Sequence, residues 1–366
     1  MGGLLSTTKG KLLVVLAVLG LVAAGFVFLK GPISHIDPAA EWVFQAGSLR
    51  FTNSIIASWV TVVVLAVLAI LVTRRMQLVP RGVQNLLETF IETMLNFVEG
   101  VAGKKWGRRF FPVVMTIFLF VLVSNWMGLL PGFGTIGVVR DAKAQFGEKK
   151  AEEVHGLSFT RVNVVGLDVA LMLPGGGEAA EKPKEASGHG EPAVKPKEPS
   201  GHGEAAPAKP VLVPFFRSAN TDLNTPLALA LVALVFIEMW GFQSLGPMYL
   251  SKFFNVRRLL RGEIFNGIID LAIGLLEIVS ELARVISFTF RLFGNVFAGE
   301  VLLIVITFLV PLVFVLVFYG LELFVGFMQA FVFAFLTLIF GVMAVASHGE
   351  DHKGHQEKGE AAEAHH

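Results

Sequence analysis

The sequence predicts an all-α integral membrane protein with about five transmembrane helices, an amphipathic surface helix and an N-terminal signal or anchor segment. Of its 366 residues, 54% are hydrophobic and only 16% are charged. The mean hydropathy is +0.67, so the chain carries more apolar surface than a soluble domain of this length can bury. The charges are concentrated in a few stretches, which leaves several long segments almost free of charge, as membrane spans require.

Residues 1–30 are predicted to be a signal peptide or a retained signal anchor. Lys9 and Lys11 precede an apolar run over residues 12–29 that contains small residues at Ala23 and Ala24. Cleavage and retention both fit this pattern. In either case the lysines are expected in the cytoplasm, which places the following residues on the outer face.

Residues 31–131 are predicted to form a first membrane hairpin with a cytoplasmic amphipathic helix. An apolar run over residues 54–72 is followed by two arginines, which the positive-inside rule places in the cytoplasm. Residues 84–101 carry apolar side chains at three- and four-residue spacings with glutamates between them, a pattern typical of a helix lying on the membrane surface. Four basic residues then precede an apolar run over residues 112–130, so this crossing leads outward.

Residues 132–220 are predicted to be a partly disordered insertion on the outer face. Residues 182–208 contain a repeat, KPKEASGHGEPAV followed by KPKEPSGHGEAAPA, with little aromatic or β-branched content. His189 and His202 in this repeat could suggest a metal site, but two widely spaced histidines do not make a coordination sphere. We interpret the tract as a solvated spacer, and we expect neither a metal nor a cofactor. With no cysteine in the chain, a thiolate site is excluded.

Residues 221–347 are predicted to contain the ion-conducting helices. Residues 223–248 return the chain to the cytoplasm, where four basic residues follow within a short stretch. The apolar stretches 264–310 and 312–347 are each too long to cross a bilayer about 30 Å thick upright, so both are expected to be tilted. Residues 348–366 form a polar tail rich in Glu and His, expected in the cytoplasm.

The first of these two long stretches has a charge density that no lipid-facing helix tolerates. At about 100° per residue, one set of polar side chains projects within roughly 40° of a single line. That set is Asp270, Glu277, Glu281, Arg284, Arg291 and Asn295. Glu300 lies more than about 100° from the line, so it is expected to face a different neighbour. On the second stretch, Glu322 is the lone charged residue, and Gln329 follows seven residues later on the same face.

These charges favour an aqueous ion path. A single buried ion pair can be explained by helix packing alone. Packing does not explain so many ionisable groups on one helix together with an acid on the next helix. An arginine stays protonated, so it cannot relay a proton, although it can repel a cation and attract a carboxylate. Carboxylates such as Glu277, Glu300 and Glu322 can accept and release protons.

The run SFTFRLFGNVFAGE, beginning at Ser287, resembles the hallmark of the subunit a family of F-type ATP synthases, in which an arginine precedes Leu-Phe-Gly-Asn. Further support comes from LEIVSELARVISF ahead of it, SNWMGLLPG at residues 124–132, DLNTPLALAL at residues 222–231 and MQAFVFAFLT around Gln329. The resemblance covers residues from about 40 to 345. The leading apolar segment and the repeat-bearing insertion depart from the family's compact pattern.

The resemblance implies a role for each matching residue. Arg291 would face the ion-carrying carboxylate of the rotating c-ring and block a short circuit between two half-channels. The outer half-channel would be lined by Asn295, Glu300, Glu322 and Gln329, and the opposite one would be flanked by Glu277, Ser280, Arg284 and Ser287. Some family members carry histidine at the position of Glu322, so the order of proton transfer between Glu300 and Glu322 stays open.

The implied protein is a non-catalytic component of the membrane Fo sector that couples proton translocation to ATP synthesis on F1. Its expected partners are the c-ring, subunit b of the peripheral stalk, F1 indirectly and membrane lipid, in a bacterial inner membrane. The near-neutral charge argues against a nucleic-acid surface. H⁺ is preferred over Na⁺, although that choice resides largely in the c-ring. Two alternatives stay open. One is a secondary ion-coupled transporter, although the two halves of the sequence show no matching pair of interrupted helices. The other is a structural membrane scaffold, in which the polar line would serve helix association alone.

Overall fold

The structure is a computed structural model of the chain. It describes residues 20, 40–47, 49–74, 82–130, 133–134, 136–141, 145, 160–164, 167–171, 210–253, 264–309 and 313–346. The predicted signal segment 1–30, apart from Gly20, lies outside the described residues, as do the repeat at 182–208 and the tail at 348–366. The expectations for those segments therefore remain predictions.

Within the described residues, five long apolar helices form the membrane part of the fold. They are α1 (Asn53–Thr73), α2 (Val83–Gly128), α3 (Asn224–Leu245), α4 (Ile264–Leu309) and α5 (Val313–Ala346). Each is long and apolar enough to cross a membrane, which confirms the predicted fold class. At about 1.5 Å per residue, the 46 residues of α4 and the 34 of α5 exceed the thickness of an upright crossing.

Helix α2 is bent sharply at Gly103, which has φ 72° and ψ 159°. The rings of Phe90 and Phe118 lie 6.0 Å apart although 28 residues separate them, a span of about 42 Å in a straight helix. The two halves of α2 therefore fold back on each other. Part of the apolar face that the sequence predicts for residues 84–101 packs against the core of the helices, where Val98 is buried, whereas Leu86 and Ile91 are exposed. Its position at the membrane surface remains a prediction.

The chain divides into two compact units, and the helical unit contains Ser54–Leu129, Ser218–Gly299 and Leu321–His366. Aromatic contacts form much of its core. The rings of Phe110 and Trp240 lie 4.3 Å apart, and those of Phe288 and Phe333 lie 5.0 Å apart. These contacts join α2 to α3 and α4 to α5, so the polar face of α4 is carried on a packed bundle.

The other unit contains Met1–Asn53, Leu130–Arg217 and Glu300–Gly320. Its strands are β1 (Trp42–Ala46), β2 (Leu49–Thr52), β3 (Ile136–Asp141), β4 (Thr160–Val164), β5 (Leu167–Leu171) and β6 (Pro210–Pro214). Strands β1 and β2 form a hairpin, and the other four form an antiparallel sheet in the order β4-β5-β3-β6. These strands are not predicted from the sequence, because they are only four to six residues long and because β3 and β6 are separated by a long polar repeat.

Candidate functional site

The polar face of α4 begins with a set of paired charges, which we call the Lys252 cluster: Lys252, Glu277, Glu281 and Arg284. The Lys252 Nζ atom lies 2.7 Å from Glu277 Oε1 and 3.0 Å from Glu281 Oε1. The Arg284 Nη1 atom lies 2.7 Å from Glu281 Oε2, and its Nη2 atom lies 3.6 Å from Glu277 Oε1. Two carboxylates are thus neutralised by two cations, as a burial of charge requires.

The sequence brings these four residues together by two local features. Glu277, Glu281 and Arg284 are four and three residues apart, so they share one face of α4. Lys252 is the last residue of a 3-10 helix, Gly246–Lys252, that directly follows α3. The next residue places its backbone carbonyl against Gly274, where any Cβ atom would overlap it. A glycine at position 274 therefore lets Lys252 reach α4.

Arg291 lies two turns beyond Arg284 on the same face of α4, but its surroundings differ. Its side chain is exposed, and its Nη2 atom makes a long contact of 3.4 Å with Ser287 Oγ. Among the residues that the structure describes, no carboxylate forms a salt bridge with Arg291. Ser280, Ser287 and Asn295 are also exposed. This part of α4 thus presents an unneutralised cation among small polar groups.

Glu322 on α5 is buried, with 8% of its surface exposed. Its carboxyl group rests directly against Gly299 of α4, where a Cβ atom would overlap the carboxyl atoms. Gln329, seven residues later, is half-buried on the same face of α5. The glycine on α4 therefore provides the space that an acidic side chain on α5 occupies.

Buried hydrogen bonds join the motif segments of the helical unit. Asn125 donates through Nδ2 to the Gly326 carbonyl at 3.2 Å and accepts through Oδ1 from Asn220 Nδ2 at 2.8 Å. Ser54 Oγ donates to Asp222 Oδ2 at 3.0 Å. These bonds connect α2 to α5, and α1 to the start of α3. The bond from Asn125 fixes α5 at Gly326, between Glu322 and Gln329.

Glu300 lies in the other unit, where Arg217 holds it. Arg217 donates from Nε at 3.1 Å and 3.2 Å, and from Nη2 at 2.8 Å, to the two carboxylate oxygens of Glu300. The side chains of Arg217 and Glu300 are 10% and 31% exposed. A guanidinium with this geometry is a strong partner because two of its N–H groups bind one carboxylate.

Two basic residues at these sites are not predicted from the sequence. Arg217 lies in the predicted insertion 132–220, and Lys252 is one of the four basic residues that follow residues 223–248. The signal for Arg217 was its position next to SANTD, a polar run adjacent to a membrane helix. The signal for Lys252 was its place at the start of a basic cluster, next to a helix end rather than in open solvent.

These observations define a class of protein: a multi-pass membrane protein whose long helix carries both paired and unpaired charges, as ion-transporting membrane proteins do. The sequence profile of the ATP synthase A chain family matches residues 55–341. The chain belongs to that family, which confirms the resemblance noted in the sequence. It is therefore a membrane component of ATP synthase and not its catalytic subunit.

Two relatives illustrate the similarity. ATP synthase subunit a of Desulfosudis oleivorans is 29% identical over 291 residues, which cover 78% of this chain and 85% of that protein. ATP synthase subunit a of Campylobacter jejuni subsp. doylei is 27% identical over 276 residues, which cover 75% of this chain and 81% of that protein. The similarity thus extends over most of both relatives.

Proposed function

We propose that the chain is the stator subunit that forms two proton half-channels against a rotating c-ring. The proton would enter one half-channel, neutralise a carboxylate of the ring and leave through the other after rotation. Arg291 would prevent direct passage between them because its guanidinium repels a cation and cannot itself relay a proton. Each charge that crosses 100 mV supplies about 2.3 kcal/mol, so several protons must contribute to one ATP.

The observation that carries this proposal is the contrast between two arginines of α4. Arg284 is bound by Glu277 and Glu281, whereas Arg291 is exposed and has no ion pair within the described part of the chain. An unneutralised arginine is costly at membrane depth unless it faces water or an acid. A carboxylate on a neighbouring rotor would provide the negative charge that pairs with Arg291. It would also explain why the Arg291 side chain is exposed in the isolated chain.

The remaining site residues support the two approaches to this arginine. We infer that Asn295, Glu300, Glu322 and Gln329 line the outer half-channel, since Glu300 and Glu322 are carboxyl groups able to exchange protons. We infer that Glu277, Ser280, Arg284 and Ser287 line the inner one. The orientation rests on the basic residues that follow α1 and α3, which the positive-inside rule places in the cytoplasm.

The proposed partners follow from the same geometry. The c-ring would face Arg291, and subunit b of the peripheral stalk would hold this subunit against F1 while the ring turns. Helix α1 supports a second contact, because it exposes large apolar side chains along most of its length, including Trp59, Val63 and Leu71. In the assembled complex these side chains would face lipid or a stalk helix.

The proposal is tested by replacing Arg291 with alanine and with lysine in the assembled complex. ATP synthesis and ATP-driven proton pumping are measured in inverted membrane vesicles, with the amount of assembled complex determined in each preparation. We expect Arg291→Ala to abolish coupled synthesis and Arg291→Lys to restore it at best in part, because lysine can lose its proton.

A matched control is Lys105→Ala, which removes an exposed cation from α2. This variant should keep the coupling of the unmodified complex. Wild-type coupling in Arg291→Ala would overturn the proposed role of the arginine. Uptake of an organic solute driven by the proton gradient would instead support the secondary transporter.

A further inference from the structure

Helix α3 carries a single charged residue, Glu238, within an otherwise apolar sequence. A carboxyl group in a membrane helix is costly, so it requires a partner or a function. The Oε1 atom of Glu238 is buried and has no hydrogen-bond partner among the described residues. No cation of this part of the chain forms a salt bridge with it either.

Tyr249 directs a second unsatisfied group toward the same place. Only 4% of Tyr249 is exposed, and its buried hydroxyl group makes no hydrogen bond within the described residues. Its ring and hydroxyl pack so closely on Gly241 of α3 that a Cβ atom at position 241 would overlap them. Gly241 is three residues after Glu238, which places both on one face of α3. The phenol and the carboxyl group therefore lie close to each other beside α3.

Glu238 also interacts with the Lys252 cluster on α4. Its carboxyl group is coupled electrostatically to Glu281 and Lys252 as well as to Tyr249. The Lys252 ammonium lies 5.6 Å from the centre of the Tyr249 ring, so Tyr249 contacts both this cation and Gly241, which lies about one turn from Glu238 on α3. Glu238 thus belongs to a group of five ionisable side chains that it shares with Lys252, Glu277, Glu281 and Arg284.

The charges of this group do not balance unless it binds one proton. Glu277 and Glu281 are each bound by Lys252 and Arg284, which neutralise them. Glu238 is a third carboxyl group, and no cation in the described segments forms a salt bridge with it. A buried carboxylate beside another carboxylate is strongly disfavoured, whereas a protonated carboxyl group is neutral and can donate a hydrogen bond. The exchangeable proton of the group is therefore expected on Glu238.

We propose that Glu238 is a further proton-carrying residue of the inner half-channel and that Tyr249 is the positioning residue that orients its carboxyl group. The inference rests on the proposed function. A proton arriving from the side of Arg291 converts the Glu238 carboxylate to the neutral acid. It then leaves to water on the cytoplasmic side, restoring the carboxylate. The members of the Lys252 cluster form salt bridges with one another, which leaves Glu238 as the carboxyl group of the set without a salt bridge among the described residues.

The test uses Glu238→Gln in the full ATP synthase complex. Glutamine has the size of glutamate and keeps a polar group at the same position, but it does not exchange a proton in the pH range of the assay. Passive proton flux through the membrane sector is measured in vesicles after removal of F1, as a function of the pH on the cytoplasmic side. Rates are expressed per assembled complex. We expect the rate to fall roughly tenfold or more and to lose part of its pH dependence.

Three companion variants make the result specific. Glu238→Asp keeps a titrating group and should retain most of the flux. Tyr249→Phe keeps the packed ring but removes the hydroxyl group, so it should shift the pH profile without abolishing flux. Glu92→Gln removes an exposed acid of α2 and should change neither.

A wild-type rate and pH profile in Glu238→Gln would overturn the inference and leave Glu238 as a packing residue. If the glutamine variant does not assemble, unaltered profiles in both Glu238→Asp and Tyr249→Phe would overturn it. Lost coupling in Arg291→Ala together with normal flux in Glu238→Gln would reject this inference alone. Retained coupling in Arg291→Ala would reject the proposed function itself.

Discussion

Arg217 binds both carboxylate oxygens of Glu300, with its shortest contact at 2.8 Å from Nη2 to Oε2. Arg217 therefore fixes the position of the Glu300 carboxylate, because a guanidinium that binds through two of its N–H groups also sets the orientation of the group it holds. The family motif contains Glu300, and the residue that acts on it comes from a segment far away in the sequence.

Removing the charge of Arg217 should affect both stability and transport. We expect Arg217→Ala to lower the stability of the purified complex by roughly 2 to 3 kcal/mol, below the range for a fully buried pair because Glu300 is partly exposed. It should also slow proton flux. Thermal unfolding in detergent and vesicle proton pumping measure the two effects.

A charge swap provides the control for this pair. The double variant Arg217→Glu with Glu300→Arg keeps both charges, so it should recover part of the stability lost in either single variant. It should not recover flux, because an arginine cannot relay a proton. Equal stability of the swap and both single variants would show that the pair contributes nothing.

The buried acid on α5 gives a second prediction. We expect Glu322→Gln and Glu300→Gln each to slow proton flux without preventing assembly, since glutamine keeps the size and hydrogen bonding of glutamate but not its titration. Flux is measured per assembled complex. Unchanged flux in both variants would remove these residues from the proton path.

The contact between Gly299 and Glu322 gives a third prediction. We expect Gly299→Ala to slow flux severalfold, because the added methyl group must displace the Glu322 carboxyl group or separate α4 from α5. The matched control is Gly100→Ala on α2, where a Cβ atom meets no neighbour. A normal proton flux in Gly299→Ala would show that the position of Glu322 is not critical.

The helical part of this fold could be predicted from sequence with near-correct limits. The apolar runs at 54–72 and 264–310 correspond to α1 and α4, because a run of that length and apolarity has few alternatives to a helix. The polar line along α4 followed from helical periodicity alone, and it contains Glu277, Glu281 and Arg284, which the structure brings together. Local spacing is enough for such contacts.

Contacts between distant segments could not be predicted in this way. Nothing in the periodicity of α4 indicates that Lys252 or Arg217 is a partner of its glutamates, since those pairings depend on how the chain folds between them. The pairing of Val138 with Val213 could not be predicted for the same reason, because the two strands lie before and after the polar repeat in the sequence. The roles of Gly241, Gly274 and Gly299 could not be predicted either. Each glycine makes room for a group from a distant part of the chain or from a neighbouring turn: the Tyr249 side chain, the Phe253 carbonyl and the Glu322 carboxyl group, respectively.

The central claim is that the face of α4 that carries Arg291 lies against a rotor. The chain contains no cysteine, so single cysteines can be introduced without background. Ser287→Cys and Asn295→Cys flank Arg291 on its face, and Ile286→Cys projects roughly 140° away from it. Each is paired with a cysteine beside the ion-carrying carboxylate of the c-ring, and disulfide formation is measured in membranes. We expect cross-links from positions 287 and 295 but not from 286. Cross-linking from 286 alone would contradict the account.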